Sequence, residues 1–144
     1  MKAERMMPGD IPEVAELEAR LFSDAWSLDG IRGSLEQANA ACFVVREEKQ
    51  ISAYLLGYWA VDECEIARVG VDETKRRRGL ATELLMALKA FCQRKTCTRI
   101  LLDVRESNRG ARCFYEACGF QEDGIRKAFY RDPEEAAVLM SLRV

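Results

Sequence analysis

Between Gly79 and Phe120 the hydrophobic pattern changes period twice, and this restricts the fold more than any other feature of the chain. "GLATELLMALKAFCQR" (79–94) places Leu80, Leu84, Leu88 and Phe91 on one stripe, the spacing of a long amphipathic helix. "RILLDV" (99–104) is apolar at almost every position, the pattern of a strand covered on both faces. "NRGARCFYEAC" (108–118) reads as a helix again, with Gly119 where a glycine commonly ends one. A buried strand between two helices calls for a sheet with helices packed against it.

The rest of the chain fits such a sheet. "KAERMM" (2–7) is a short first strand. "GDIPEVAELEARLF" (9–22) is a helix with Asp10 as its expected N-cap, Pro12 in the first turn, and Val14, Leu17 and Leu21 at helical spacing. "WSLDGIRGSLEQ" (26–37) is a weaker helix, capped by Ser27 and diluted by Gly30 and Gly33. "ACFVVREE" (41–48), "ISAYLLGYWAV" (51–61) and "CEIARVGV" (64–71) are rich in β-branched and aromatic residues and are separated by short polar turns, which predicts an antiparallel meander. "FQEDGIRKAFY" (120–130) and "AAVLMSLRV" (136–144) close the chain as strands. The order β-α-α-β-β-β-α-β-α-β-β predicts an α/β (α+β) class. The expected architecture is a mixed sheet of six or seven strands with helices on both faces, in one domain spanning 1–144.

Composition narrows the chemistry. Lys+Arg is 22 against Asp+Glu 24, so the basic run Lys75–Arg78 is a local device, and no general nucleic-acid binding is expected. Histidine is absent, which excludes a Ser-His-Asp or Cys-His unit and any histidine-bearing metal site. Acid–base work falls to carboxylates, tyrosine, cysteine, lysine or water. The six cysteines form no CxxC pair and mostly sit in apolar stretches, so they read as reduced core residues, and no metal is expected. No apolar run reaches the length of a membrane span, and the charged start is unlike a signal peptide, so the expected location is the cytoplasm.

The run "TKRRRGLA" lies between a strand and a helix start, where unpaired N–H groups and the positive dipole end attract phosphate. Gly79 allows close approach, Ala81 keeps the next turn small, and Arg76, Arg77 and Arg78 add charge. Neither a Walker A loop nor G-x-G-x-x-G is present. Taken with "VGVDETKRRRGLATELL", "LLDVRESNRGARCFYEACGF" and "GIRKAFYRD", the chain resembles the GNAT acetyltransferase superfamily. The family's Q/R-x-x-G-x-G/A motif is matched by Arg76, Arg77, Arg78, Gly79, Leu80 and Ala81. Within it, Phe22, Trp26-Ser27, "VRESN" (104–108), "FYEACGF" (114–120) and "KAFY" (127–130) are most similar to the ribosomal-protein-alanine N-acetyltransferase (RimI) family.

The resemblance implies direct acetyl transfer from acetyl-CoA, a co-substrate, to an amine. The loop Arg76–Thr82 would hold the pyrophosphate, the backbone of Val69, Gly70 and Val71 would hold pantetheine like an added strand, and Asn108 would contact the cofactor. Tyr115 matches the family tyrosine that protonates the leaving thiolate and also stands among the cofactor contacts. Asp103 stands where the RimI family has a glutamate base and is one methylene shorter, so it would act through a water. Glu65 is the rival base, and Lys75 is peripheral. Ala25 replaces the family's proline before Trp-Ser, and Glu135-Ala136-Ala137 replaces its Glu-Asp-Ala.

The implied acceptor is a protein N-terminus, alanine first, on a ribosomal small-subunit protein. At pH 7 roughly a tenth of an α-amine of pKa near 8 is neutral, against less than about 0.1% of a lysine amine, so a site without histidine suits the α-amine. The other readings are acetylation of a small amine or lysine side chain, a non-catalytic acyl-CoA-binding module, and nucleic-acid binding through Lys75–Arg78. No membrane association is expected.

Overall fold

The computed structural model describes residues 2–144. Its seven strands are β1 (Ala3–Arg5), β2 (Phe43–Glu47), β3 (Gln50–Ala60), β4 (Glu63–Val71), β5 (Arg99–Arg105), β6 (Gln121–Tyr130) and β7 (Glu135–Arg143). Four α-helices accompany them: α1 (Ile11–Leu21), α2 (Leu28–Glu36), α3 (Leu80–Arg94) and α4 (Arg109–Ala117). The strands form one sheet in the order β1-β2-β3-β4-β5-β7-β6. The predicted β2–β3–β4 meander is antiparallel throughout. β4 and β5 are parallel, joined by the crossover through α3, as a parallel pair requires. No helix among the described residues is long and apolar enough to cross a membrane.

Each face of the sheet has its own core. Leu80, Leu84, Leu88 and Phe91 of α3, with Tyr115 and Phe120, cover Phe43, Leu55, Ile66, Ile100, Leu102, Val104 and Met140. On the other face Ile11, Val14, Leu17 and Ile31 cover only the β2–β3 side, through Cys42, Val44, Tyr54 and Leu56. That asymmetry corrects the expectation for β5. Ile100, Leu102 and Val104 are buried, but Leu101 and Asp103 are only half-buried, because α1 and α2 do not extend over them. The second face of β5 is left to a cleft.

Two further details position that cleft. β4 and β5 pair only from Glu63–Ile66 to Arg99–Leu102, so beyond Ile66 and Leu102 the two strands separate. The β3–β4 register steps from Leu56↔Arg68 to Gly57↔Ile66, leaving Ala67 as an extra residue. Such a bulge bends a strand away from its neighbour.

Ser27 caps α2 as expected, its Oγ accepting from Gly30 N–H at 3.0 Å. Asp10 does not cap α1. Its carboxylate accepts from Met7 N–H at 2.8 Å and pairs with Arg46 of β2 at 2.8 Å. A charge-assisted bond to a distant arginine outcompetes the local cap. Although burial opposes ionisation, Arg46 and the Met7 amide hold the Asp10 carboxyl below the ordinary range.

Candidate active site

The start of α3 opens on the separation between β4 and β5. Gly79 is the helix N-cap at φ +80°, and Arg77 before it has φ +65°. A β-carbon at Gly79 would meet nothing within 4 Å, so conformation and not space demands the glycine. No side chain caps this helix, and its first internal bond runs from Glu83 N–H to the Gly79 carbonyl at 3.0 Å. The amides of Leu80, Ala81 and Thr82 therefore lie at an uncapped positive helix end. An anion of the size and charge of a diphosphate fits that arrangement.

The basic run divides in two. Arg76 and Arg77 are exposed and form no ion pair among the described residues. Arg78 pairs with Glu47 at 3.0 Å, and Lys75 Nζ donates to Ser52 Oγ at 3.1 Å. The Arg78 pair is half-exposed and worth on the order of 0–1 kcal/mol, so an anionic ligand can displace it.

Beside this loop, the β5-facing edge of β4 has no strand partner over Arg68–Val71, while its other edge pairs with Ala53, Tyr54 and Leu55. Gly70 has its own packing reason. A β-carbon there would lie 2.4–2.5 Å from the Tyr54 ring. Val69 and Val71 are half-buried beside it.

Tyr115 of α4 sits between Phe114 and Phe120, with ring centroids 5.3 and 5.2 Å away. The residue is 9% exposed, yet its Oη is not a buried unsatisfied atom, and it has no protein hydrogen bond among the described residues. The hydroxyl is thus the accessible tip of a buried ring. Burial, and secondarily Cys118, raises the phenol's pKa, which keeps it protonated. Asn108 caps α4, its Oδ1 accepting from Ala111 N–H at 3.1 Å.

The uncovered face of the sheet carries acidic and phenolic groups together. Tyr58 and Glu65 are cross-strand partners, and the Tyr58 hydroxyl donates to Glu65 Oε2. That bond, with burial and the charge of Asp103, pushes the Tyr58 pKa up to about 12. Asp103 has no hydrogen bond or ion pair among the described residues. Burial and then the Glu65 charge raise its carboxyl above the ordinary range, opposed by Arg126. Burial and Asp103 push Tyr130 up to about 12 as well. The structure therefore brings Asp103 and Glu65 into electrostatic contact, flanked by two phenols.

A second network was missed by sequence reasoning. Glu18 of α1 is fully buried and accepts from Trp26 N–H at 3.0 Å, from Arg68 Nε at 2.8 Å, and from the Tyr54 hydroxyl. Arg68 also binds Asp24 at 2.9 Å and lies 3.7 Å over the Phe22 ring. Arg105 of β5 reaches Asp24 at 3.4 Å, Glu135 at the start of β7 at 3.3 Å, and the Pro133 carbonyl of the β6–β7 turn at 3.0 Å. Asp24 is therefore held by one arginine from each of the separated strands. The signal was available in part, since Glu18 falls four residues after Val14, on the stripe that faces the sheet.

Comparison with known proteins shows the family. A Bacillus subtilis (strain 168) protein, provisionally named [ribosomal protein bS18]-alanine N-acetyltransferase, is 33% identical over 132 residues, covering 91% of this chain and 87% of the relative. The crystal structure of the ribosomal-protein-S18-alanine N-acetyltransferase from Escherichia coli superimposes with a TM-score of 0.92 at 26% identity, covering 99% of this chain and 93% of that one. A provisionally named streptothricin acetyltransferase from Bacillus anthracis str. Ames, solved in complex with acetyl coenzyme A, shares the fold with a TM-score of 0.72 at 21% identity, covering 79% and 68% of the two chains. Residues 11–120 match the model of the acetyltransferase (GNAT) family, and the chain belongs to that family.

Proposed function

We propose that this protein, as one domain over residues 1–144, transfers acetyl from acetyl-CoA to the N-terminal α-amine of an alanine-starting ribosomal small-subunit protein, bS18 in the relatives' names. The observation that carries the proposal is the β4–β5 separation, with an uncapped helix start on one side and a carboxylate pair on the uncovered face.

The loop Arg76–Thr82 holds the diphosphate of acetyl-CoA through its amides, aided by Arg76 and Arg77. The unpaired edge of β4 at Val69–Val71 binds pantetheine as an added strand would, and Asn108 borders the same path. Acetyl-CoA, once bound, supplies a thioester carbonyl open to attack by a neutral amine. Asp103 takes the amine's proton through a water. Its lack of a partner among the described residues leaves its lone pairs free, and its raised pKa makes it the stronger base. Glu65 already accepts from Tyr58, which favours an orienting role and keeps it as the alternative base. Tyr115 offers its proton to the departing sulfur from an accessible hydroxyl held in the protonated form.

The test is an acetyl-CoA turnover screen comparing peptides that begin with Ala, Ser or Met against polyamines and lysine peptides. Preference for the alanine-starting peptide is expected. Faster turnover of polyamines or lysine peptides would refute the α-amine assignment, and acetyl-CoA binding without any turnover would refute the enzyme.

A further inference from the structure

A pocket of about 300 Å³ lies beside the carboxylate pair, lined among others by Trp26, Ser34, Gln37, Asn39, Tyr58 and Ala67. Resting on the proposed acetyl transfer, the geometry points to this pocket as the seat of an uncharged, hydrogen-bonding side chain of the acceptor, belonging to a residue after the first.

Position is the first argument. Tyr58 is at once a pocket wall and the hydrogen-bond donor to Glu65, so an occupant sits against the group that faces the reacting amine. Ala67, also in the lining, is the extra residue of the β4 bulge, so the pocket forms where that strand bends.

Size is the second. Liquid water takes about 30 Å³ per molecule, so the pocket has room for roughly ten waters. A single methyl group cannot fill it, so the alanine at the first position leaves it for a later residue.

Chemistry is the third. No ionised side chain lines the pocket, and its polar ends are the hydroxyl of Ser34 and the amides of Gln37 and Asn39 between two aromatic rings. A charged side chain placed there would lose hydration without a counter-charge among the walls, whereas an uncharged hydroxyl or amide finds partners.

Preorganisation is the fourth. Asn39 Nδ2 donates to the Trp59 carbonyl at 2.9 Å, Trp26 N–H donates to buried Glu18 at 3.0 Å, and Tyr58 is held by Glu65. Three walls are thus fixed by bonds that an occupant does not have to form, which lowers the ordering cost of binding.

The experiment is steady-state acetylation of alanine-starting peptides that differ only at the second and third residues, carrying Ser, Asn, Gln or Tyr against Gly, Lys or Glu. Wild type is compared with Ser34→Leu and Ala67→Leu, which fill the pocket from α2 and from β4. Thermal melting and acetyl-CoA calorimetry check folding and cofactor binding, and two variants guard against one failing to fold. Wild type is expected to show at least a tenfold lower KM for an uncharged polar residue at one of the two positions than for glycine. Both variants should raise that KM to the glycine level and leave kcat and acetyl-CoA affinity unchanged. An identical peptide ranking in the filled variants, or a wild-type preference for Lys or Glu, overturns the pocket assignment while the acetyl-transfer proposal stands. No peptide turnover in wild type overturns both.

Discussion

Replacing Tyr115 by phenylalanine removes one oxygen from a ring that stays wedged between Phe114 and Phe120. That oxygen bonds to nothing among the described residues, so no hydrogen bond is lost there and no partner is orphaned. The stability change should stay within about 0.5 kcal/mol, a melting shift of no more than about 3 °C for a domain of this size. If the hydroxyl protonates the leaving thiolate, the chemical step should slow by about 10²–10⁴-fold, or roughly 2.7–5.4 kcal/mol in the barrier. The barrier effect is thus several times the stability effect. Single-turnover acetylation of an alanine-starting peptide reads the chemical step apart from product release, and calorimetry reads acetyl-CoA affinity, which should change little. Alkaline stability supplies a second readout. The folded phenol's pKa is raised, so above about pH 10 the unfolded state sheds this proton while the folded state keeps it. The unfolded state then binds fewer protons, and stability falls as pH rises. Tyr115→Phe should flatten that decline. A wild-type single-turnover rate would remove Tyr115 from the mechanism. A melting loss of many degrees would show that the hydroxyl is satisfied inside the fold.

Three other perturbations separate structure from chemistry. Asp103→Asn should lower kcat/KM by about 10²–10⁴-fold, with the loss shrinking at high pH as more amine is already neutral. The same change should raise the melting temperature at pH 7: the folded carboxyl's pKa is raised, so ionised Asp103 reduces stability as pH climbs from its unfolded value near 3.9 through the higher folded one. A lower melting temperature would contradict the absence of a partner for this carboxylate. Gly79→Val forces a β-branched residue to φ +80°, costing on the order of 1–2 kcal/mol or more locally, and calorimetry should show sharply weaker acetyl-CoA binding; undiminished affinity in a folded variant would place the diphosphate elsewhere. Glu18→Gln breaks a buried ion pair, for which about 3–5 kcal/mol is usual, reduced toward roughly 2–4 because Arg68 keeps Asp24; urea unfolding with an unchanged midpoint would refute the network's role.

Much of the fold was legible because its signals are local. The stripe of α3, the Ser27 cap and the β2–β4 meander each depend on residues within one or two turns of each other. The failures share a cause in distant partners. Asp10 has the composition of a cap, but Arg46, 36 residues away, takes its carboxylate. The apolar run of β5 cannot reveal whether a helix lies over its second face, and the proposed site uses the face left uncovered. Counting Val14, Leu17 and Leu21 as a stripe passes over Glu18, whose meaning depends on Arg68, 50 residues on. The motif at Arg76–Ala81 marks a place for an anion, whereas the pairing of Tyr58 with Glu65 appears only once β3 and β4 are in register. Sheet register, not residue type, assembles the acidic half of the proposed site.

That division bears on the acceptor. The helix start and Arg76–Arg77 make one side of the β4–β5 separation positive, while Asp103 and Glu65 make the other negative. A negative pair draws an ammonium group in, but it also stabilises the ammonium against losing its proton. An amine of intrinsic pKa near 10.4 would then be held almost wholly in the form that cannot attack. An α-amine starts near 8, so even after such stabilisation a useful fraction is neutral. Asp103, the proposed base, has its own pKa raised, which narrows the gap across which the proton would move. With no histidine in the chain, a carboxylate of raised pKa is a route to amine deprotonation near pH 7, and it suits an N-terminus far better than a lysine.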